Sequence, residues 1–111
     1  MGGRYPLFSD FEEALASTAP DVVCISTYPD THESFAIRSL ENGSHVFIEK
    51  PLADSVEGAE RVARAAEKAG KKLQVGYILR HHPSWQLFIQ LARELGKPLV
   101  MRMNLNQQSH G

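Results

Sequence analysis

The 111 residues suffice for one compact domain and not for a complete two-domain enzyme. The 12 Lys and Arg are balanced by 13 Asp and Glu spread along the chain, which argues against nucleic acid as the partner. No apolar run approaches the ~20 residues of a membrane span, and no signal-peptide pattern opens the chain, so we expect a cytoplasmic protein with no membrane partner. The single Cys24 lies in an apolar run, which favours a small buried side chain over a nucleophile.

Hydrophobic periodicity divides the chain into alternating helices and strands. Two capping patterns, Ser9 with Glu12 and Asp54 with Glu57, predict helix starts. The continuous Val and Ile run after Pro20 is typical of a parallel strand covered on both faces. The predicted elements, in chain order, are a helix to about Ser17, a strand Asp21–Thr27, a helix Thr31–Glu41 with a left-handed end at Asn42-Gly43, a strand His45–Glu49, a helix ending at Gly70, a strand Leu73–Tyr77, a helix from Pro83 to Leu95, and a strand Leu99–Asn106 with one buried face.

The order strand, helix, strand, helix, strand that begins at Asp21 is typical of right-handed parallel crossover units. It predicts an α/β fold containing half of a doubly wound parallel sheet. The hydrophobic period then changes between Tyr77 and Pro83, since the last predicted strand alternates apolar and polar residues. We therefore expect residues 1–78 and 79–111 to belong to different domains.

Ligands of open parallel sheets bind beyond the carboxyl ends of the strands, because the loops diverge there and helix N-termini point into the gap. Three strand ends are predicted to line one such rim. They are Ser26-Thr27-Tyr28-Pro29 after the first strand, Glu49-Lys50-Pro51 after the second, and Tyr77 through Arg80 after the third.

Lys50 is the leading candidate on this rim. Pro51 has a restricted backbone and keeps Lys50 extended, so the ammonium is well placed to bond a substrate hydroxyl and a cofactor ribose together. A solvated turn lysine paired with Glu49 explains the position alone equally well.

Three histidines and an arginine near the rim leave alternatives open. His32 has the plain alternative of a helix N-terminal residue bonded to water, and Arg80 is either an anion clamp or a solvated turn residue. The adjacent His81 and His82 project in different directions and lack a third ligand at usable spacing, so we expect no metal site.

Taken together, these motifs resemble the Gfo/Idh/MocA family, named after glucose-fructose oxidoreductase and inositol dehydrogenase. The tripeptide Glu49-Lys50-Pro51 is weak by itself, and its place at the end of an apolar strand makes the combination specific. The segments that carry the resemblance are Asp21–Thr27 with His32, Asn42–Ala53, Gln74-Val75-Gly76-Tyr77, Arg80 with Pro83, and Gly96-Lys97-Pro98.

The resemblance implies the second half of a Rossmann domain that binds NAD or NADP, then the start of an α/β substrate domain that often forms a homo-oligomer interface. It implies hydride transfer to or from a sugar, sugar derivative or cyclic polyol. Lys50 would contact both cofactor and substrate and act in catalysis, and Glu49 would orient its loop. Implied cofactor contacts are Ser26, Thr27, Tyr28, His32, Glu49, Lys50 and Pro51, and implied substrate contacts are Lys50, Tyr77 and Arg80. Tyr28 departs from the proline that the family often has.

Two family elements are missing from these 111 residues. There is no strand followed by a Gly-x-Gly-x-x-Gly turn, because Gly2-Gly3 directly follow Met1. The family's catalytic histidine lies in an Asp-x-x-x-His element, whereas Asn106 stands four residues before His110. We therefore expect a segment of a longer enzyme that is inactive alone.

Two other functions are open on the sequence. A half sheet would leave the first predicted strand with an unpaired edge, which favours a binding or assembly module. A Schiff-base enzyme using Lys50 is the other, although nothing in the sequence depresses the pKa of a lysine there.

Overall fold

The computed structural model describes residues 5–104, which fall into two compact units divided between Tyr77 and Ile78. The first unit alternates helices and strands, and the second contains two helical segments. No helix in residues 5–104 is long and apolar enough to cross a membrane. The elements are α1 (Phe11–Thr18), β1 (Val22–Ile25), α2 (Pro29–Glu41), β2 (His45–Ile48), α3 (Val56–Ala69), β3 (Leu73–Val75), a 3₁₀ helix (Ile78–Arg80) and α4 (Pro83–Glu94).

The three strands form one parallel sheet in the order β1-β2-β3. Val23 pairs with Val46, and Val46 pairs with Leu73. This confirms the α/β fold with a parallel sheet. Each strand is shorter than predicted, because the residues at its carboxyl end leave the ladder and start a loop.

One face of the sheet is covered by α2 and α3, and we call it the covered face. On this face Ile25, Val46 and Ile48 are at most 3% exposed. They pack with four helix residues that are almost without solvent contact, namely Ala36 and Leu40 of α2 and Val62 and Ala66 of α3. This cluster is the hydrophobic core of the first unit.

The opposite face, formed by Val22, Cys24, Phe47 and Gln74, is exposed in the part of the chain that the structure describes, and we call it the open face. Val22 is 55% exposed and Phe47 39%. The predictions of strands covered on both faces and of a buried Cys24 are therefore wrong. A continuous apolar run cannot distinguish one buried face from two, and both crossover helices of this chain lie on the same side.

The N-cap residues of α1 and α3 each lie one position after the predicted ones. Asp10, and not Ser9, caps α1 by accepting from the Glu13 amide at 2.8 Å. Ser55, and not Asp54, caps α3 by accepting from the Gly58 amide at 3.1 Å. Neighbouring Ser and Asp residues are nearly equivalent caps, so only the local backbone decides between them. The left-handed helix end at Gly43 is confirmed by its φ of 88°, and the helix end predicted at Gly70 is also left-handed, with a φ of 64°.

The second unit contains α4 as predicted, closed by a left-handed Gly96. The predicted strand Leu99–Asn106 is wrong over residues 99–104, which form no strand. Its last two residues, like His110, lie outside the described residues. A strand requires a neighbouring strand to share its hydrogen bonds, and residues 78–104 contain no second one.

Two bidentate ion pairs connect the three helices of the first unit. Arg38 of α2 donates to both carboxylate oxygens of Glu12 in α1, at 2.8 and 2.7 Å. Arg61 of α3 donates to both oxygens of Glu33 in α2. In each pair the hydrogen bonds that the carboxylate accepts from the guanidinium lower the pKa of the glutamate, although both pairs are solvent-exposed. They fix how the helices lie against one another more than they stabilise the fold.

Candidate functional site

Backbone hydrogen bonds hold the ends of the three strands side by side. The Glu49 amide donates to the Ile25 carbonyl at 2.9 Å, and the Gly76 amide donates to the Ile48 carbonyl at 2.8 Å. These are the last ladder bonds before each loop begins. The loops after β1, β2 and β3 therefore leave the sheet at the same edge, as the sequence predicts. We call this edge of the first unit, with residues 26–28, 49–51 and 76–77, the strand-end rim.

The loop after β1 carries two hydroxyl groups into the first turn of α2. Thr27 Oγ1 lies 2.8 Å from Thr31 Oγ1, which also donates to the Tyr28 carbonyl at 2.8 Å. Tyr28 is the N-cap of α2, makes no side-chain capping bond, and is 81% exposed. Thr31 was missed by the sequence analysis, although its spacing of four residues from Thr27 places it one helical turn away.

The loop after β2 presents Lys50 to solvent, where its side chain is exposed. Its amide donates to Oε2 of Glu49 at 3.2 Å, and the peptide bond to Pro51 is cis. The Glu49 carboxylate rests against Gly76 at the end of β3, where an added Cβ would lie 3.3 Å from Oε1. Gly76 thus leaves room for the carboxylate, a role that the sequence alone did not indicate.

His32 lies in the first turns of α2 with its ring only 1% exposed. Nδ1 is 2.6 Å from the Pro51 carbonyl oxygen, and Nε2 is 3.2 Å from the Thr27 carbonyl oxygen. The ring therefore bridges the loops after β1 and β2. This arrangement excludes the alternative in which His32 bonds only to water.

Tyr77 and Arg80 belong to different compact units. Tyr77 follows β3 in the first unit, with its amide bonded to the Val75 carbonyl at 2.8 Å and its side chain 50% exposed. Arg80 ends the 3₁₀ helix of the second unit, where its carbonyl accepts from the Gln86 side chain at 3.3 Å. Its guanidinium is exposed and forms no ion pair among the described residues.

The strand-end rim offers hydroxyl and amide groups on one side and a cation on the other. Thr27, Thr31 and the uncapped start of α2 are suited to the polar edge of a ribose or amide ligand. Lys50 supplies three donors and a positive charge, which are the groups suited to stabilising a developing alkoxide. These groups fit the nicotinamide and ribose half of a dinucleotide, whereas a glycine-rich turn for the pyrophosphate is not found in residues 5–104.

Residues 3–77 match the model of the family described as "Oxidoreductase family, NAD-binding Rossmann fold", GFO_IDH_MocA. The match spans the whole sheet and the strand-end rim.

Among curated proteins, an inositol 2-dehydrogenase from Paracoccus denitrificans is 33% identical over 97 residues, covering 86% of this chain and 29% of its own length. The chain thus spans about a third of the length of the curated relatives it matches.

Two solved structures share the fold and were determined with dinucleotides. The WlbA dehydrogenase from Bordetella pertussis, in complex with NADH and UDP-GlcNAcA, is 32% identical with a TM-score of 0.73, covering 80% of this chain and 25% of that one. Biliverdin reductase from Synechocystis, in complex with biliverdin and NADP+, is 26% identical with a TM-score of 0.74, covering 81% and 28%. In both cases the similarity covers most of this chain and a minor part of the larger one.

Proposed function

Since the chain belongs to the Gfo/Idh/MocA oxidoreductase family, whose domain is an NAD-binding Rossmann fold, we propose that it is a segment of an NAD(P)-dependent dehydrogenase or reductase. The complete enzyme transfers hydride between a nicotinamide cofactor and a sugar, sugar derivative or cyclic polyol. The inositol 2-dehydrogenase and WlbA relatives support this substrate class by their names. On the family resemblance we also propose a cytoplasmic homo-oligomer.

The position of Lys50 is the main support for this proposal. It is an exposed cation directly after β2, and its amide is held by Glu49. In the complete enzyme its ammonium donates a hydrogen bond to the substrate oxygen and stabilises the negative charge that develops there as the hydroxyl proton leaves to a base and the hydride leaves the carbon. The cofactor, when bound, accepts or supplies the hydride.

The other proposed site residues bind and orient the cofactor and the substrate. Ser26, Thr27 and Tyr28 contact the nicotinamide and its ribose, with Thr31 fixing the Thr27 hydroxyl. Glu49 and Pro51 shape the Lys50 loop, and His32 contributes through the loops that it joins. Tyr77 and Arg80 are assigned to the substrate on the family resemblance.

Nicotinamide mononucleotide tests this assignment on the chain itself, because it carries only the half of the cofactor that the rim would hold. Titrated into ¹⁵N-labelled chain, it should shift the amides of Thr27, Tyr28 and Lys50 with millimolar affinity. Lys50→Ala should weaken binding roughly tenfold, since a charged hydrogen bond contributes ~1.5–3 kcal/mol. Shifts confined to the open face would contradict the proposal.

Lys72→Ala is the matched control, since Lys72 is also exposed but precedes β3 at the opposite end of the sheet. It removes one positive charge from the same unit and should leave the affinity unchanged. If the two variants weaken binding equally, net charge and not the rim would explain it.

A second function, assembly through the outer edge of β1, is favoured by the sheet order, which leaves that edge unpaired within residues 5–104. Asp21 and Ile25 direct their carbonyls to β2, so the alternating Cys24 directs its amide to the free edge. Cys24→Pro should therefore block edge pairing without removing a β1–β2 bond. Sedimentation that shows concentration-dependent association in the parent chain and none in Cys24→Pro would support assembly.

A further inference from the structure

His32 stands out because it is a fully buried histidine whose two ring nitrogens both face backbone carbonyl oxygens. Pro51 O lies 2.6 Å from Nδ1 and Thr27 O lies 3.2 Å from Nε2. The two carbonyls come from different loops, 19 residues after and five residues before the histidine. No other side chain of the described residues joins the loops after β1 and β2 in this way.

Carbonyl oxygens only accept hydrogen bonds, so each ring nitrogen forms a bond only when it carries a proton. A neutral imidazole carries one proton, and the shorter distance indicates that it lies on Nδ1 and is donated to Pro51. A second proton on Nε2 would add the bond to Thr27. In the neutral form Nε2 makes no hydrogen bond, but it is buried and faces the Thr27 carbonyl oxygen, so a ligand does not reach it and His32 acts through the two loops.

The bond to Pro51 matters because of its neighbour, Lys50. Pro51 has no amide hydrogen, so its carbonyl is the only backbone polar group that it can offer to the protein. The Lys50 amide is in turn held by Oε2 of Glu49 at 3.2 Å. The backbone is thus fixed on both sides of Lys50, by a carboxylate before it and an imidazole after it.

We propose that His32 is a positioning residue that holds the Lys50-Pro51 loop against the loop after β1. By fixing the Pro51 carbonyl, the ring sets the point from which the Lys50 side chain extends over the rim. The other side of the ring packs against the Thr27 carbonyl, with Nε2 at 3.2 Å from its oxygen, and this contact sets the spacing between Lys50 and the hydroxyl groups of the first loop. The role of this spacing in catalysis rests on the proposed function. The effect of His32 on how rigidly the loop is held does not.

The proton position is testable in the unaltered chain. Long-range ¹H–¹⁵N correlation spectra of the histidine rings should show a slowly exchanging proton on Nδ1 of His32. A neutral ring protonated only on Nε2 would leave the Pro51 carbonyl without a donor and would overturn the proposal. This measurement needs no variant to fold.

Two substitutions separate the two bonds. The amide nitrogen of Asn sits where Nδ1 does, and that of Gln sits near Nε2, so His32→Asn retains a donor for Pro51 and His32→Gln retains one for Thr27. Both change the buried ring to a side-chain amide. ¹⁵N order parameters of Lys50, Leu52 and Ala53 should stay near the rigid value of about 0.85 in the parent and in His32→Asn, and fall below about 0.6 in His32→Gln.

Ser39→Ala is the control for loss of a buried polar bond elsewhere in α2. Ser39 is fully buried and donates to the Phe35 carbonyl at 2.7 Å, away from the rim. It should leave the order parameters of the Lys50 loop unchanged. Equal loop order in His32→Asn and His32→Gln, or an equal loss in Ser39→Ala, would overturn the positioning role.

These measurements use the chain without any nucleotide. The order parameters of the Lys50 loop could differ between His32→Asn and His32→Gln as expected while nicotinamide mononucleotide fails to bind. That result would support the positioning of the loop and contradict the proposed function. The converse result, with rim shifts on titration but no dependence of loop order on residue 32, would contradict only the positioning role.

Discussion

The two faces of the sheet differ although the same strands form both. In β2, Val46 and Ile48 point to the covered face and are at most 2% exposed, while Phe47 between them is 39% exposed on the open face. In β1 the same alternation separates a buried Ile25 from an exposed Cys24. Burial therefore depends on the helix layer, and the apolar character of a strand residue alone does not determine it.

The difference shows where the stability of the first unit lies. Both crossovers run in the same direction along the sheet, from β1 to β2 to β3, and α2 and α3 pack on one side of the strands, as the rule of right-handed crossovers requires. Apolar residues on that side are packed by two helices, while those on the other side contribute little to folding. The open face is thus a place where substitutions are expected to have small effects.

Substitution of Ile48 and of Phe47 should give the largest contrast. Ile48→Ala removes a fully buried side chain from the core and should lower the free energy of unfolding by about 2–5 kcal/mol. Phe47→Ala, one residue away on the open face, should cost about 1 kcal/mol or less, despite removing a larger group. Urea denaturation of both variants measures the contrast, and equal losses would mean that the open face is covered in solution.

Gly58 tests how closely the helix layer of the covered face is packed. A Cβ at Gly58 would lie 2.6 Å from Oε2 of Glu33 and 3.0 Å from Oγ of Ser55. Gly58→Ala should therefore destabilise the chain by about 1 kcal/mol, because crowding outweighs the better helix propensity of alanine. In a Glu33→Ala background the loss should shrink, and an unchanged loss in that double-mutant cycle would place the crowding elsewhere.

The titration of Glu33 tests the ion pair between Glu33 and Arg61 on the solvent side of the same helix layer. Its pKa in the folded chain is lowered by the hydrogen bonds from Arg61, so this pair contributes stability above the unfolded-state pKa and loses it as the pH falls through the folded-state pKa. Arg61→Gln should raise the pKa of Glu33 toward its ordinary value, as followed by carboxyl ¹³C shifts.

Arg64→Gln is the control for that titration, since Arg64 pairs with Glu60 within α3 and does not contact Glu33. The effect of either variant on stability should be small, because both pairs are exposed. A titration of Glu33 that moves equally in both variants would point to net charge and not to the bond.

Substitution of Cys24 should have the smallest effect on the free energy of unfolding, and its thiol gives a direct chemical test of the open face. Cys24→Ser on the open face should change the free energy of unfolding by about 0.5 kcal/mol or less. The thiol should also react with a disulfide reagent in the folded chain, without waiting for unfolding. A thiol that reacts only in urea would contradict the open face.

The strand-end rim could be predicted from the sequence because strand order alone brings its loops together. Ser26, Glu49 and Tyr77 each follow an apolar run, and parallel strands end at one edge. The contacts within the rim could not be predicted. That Gly76 makes room for Glu49, or that His32 faces Pro51 across 19 residues, depends on distances that no local pattern encodes.

The sequence by itself determined the element order, the parallel sheet and the left-handed helix ends, because periodicity and glycine conformation are local properties of the chain. Tertiary structure alone decided which face of each strand is buried, since this depends on the side to which both helices cross. Residues 99–104 likewise lack the strand that their alternation favoured. A strand, unlike a helix, takes its hydrogen bonds from a neighbour, so its pattern alone does not suffice to form it.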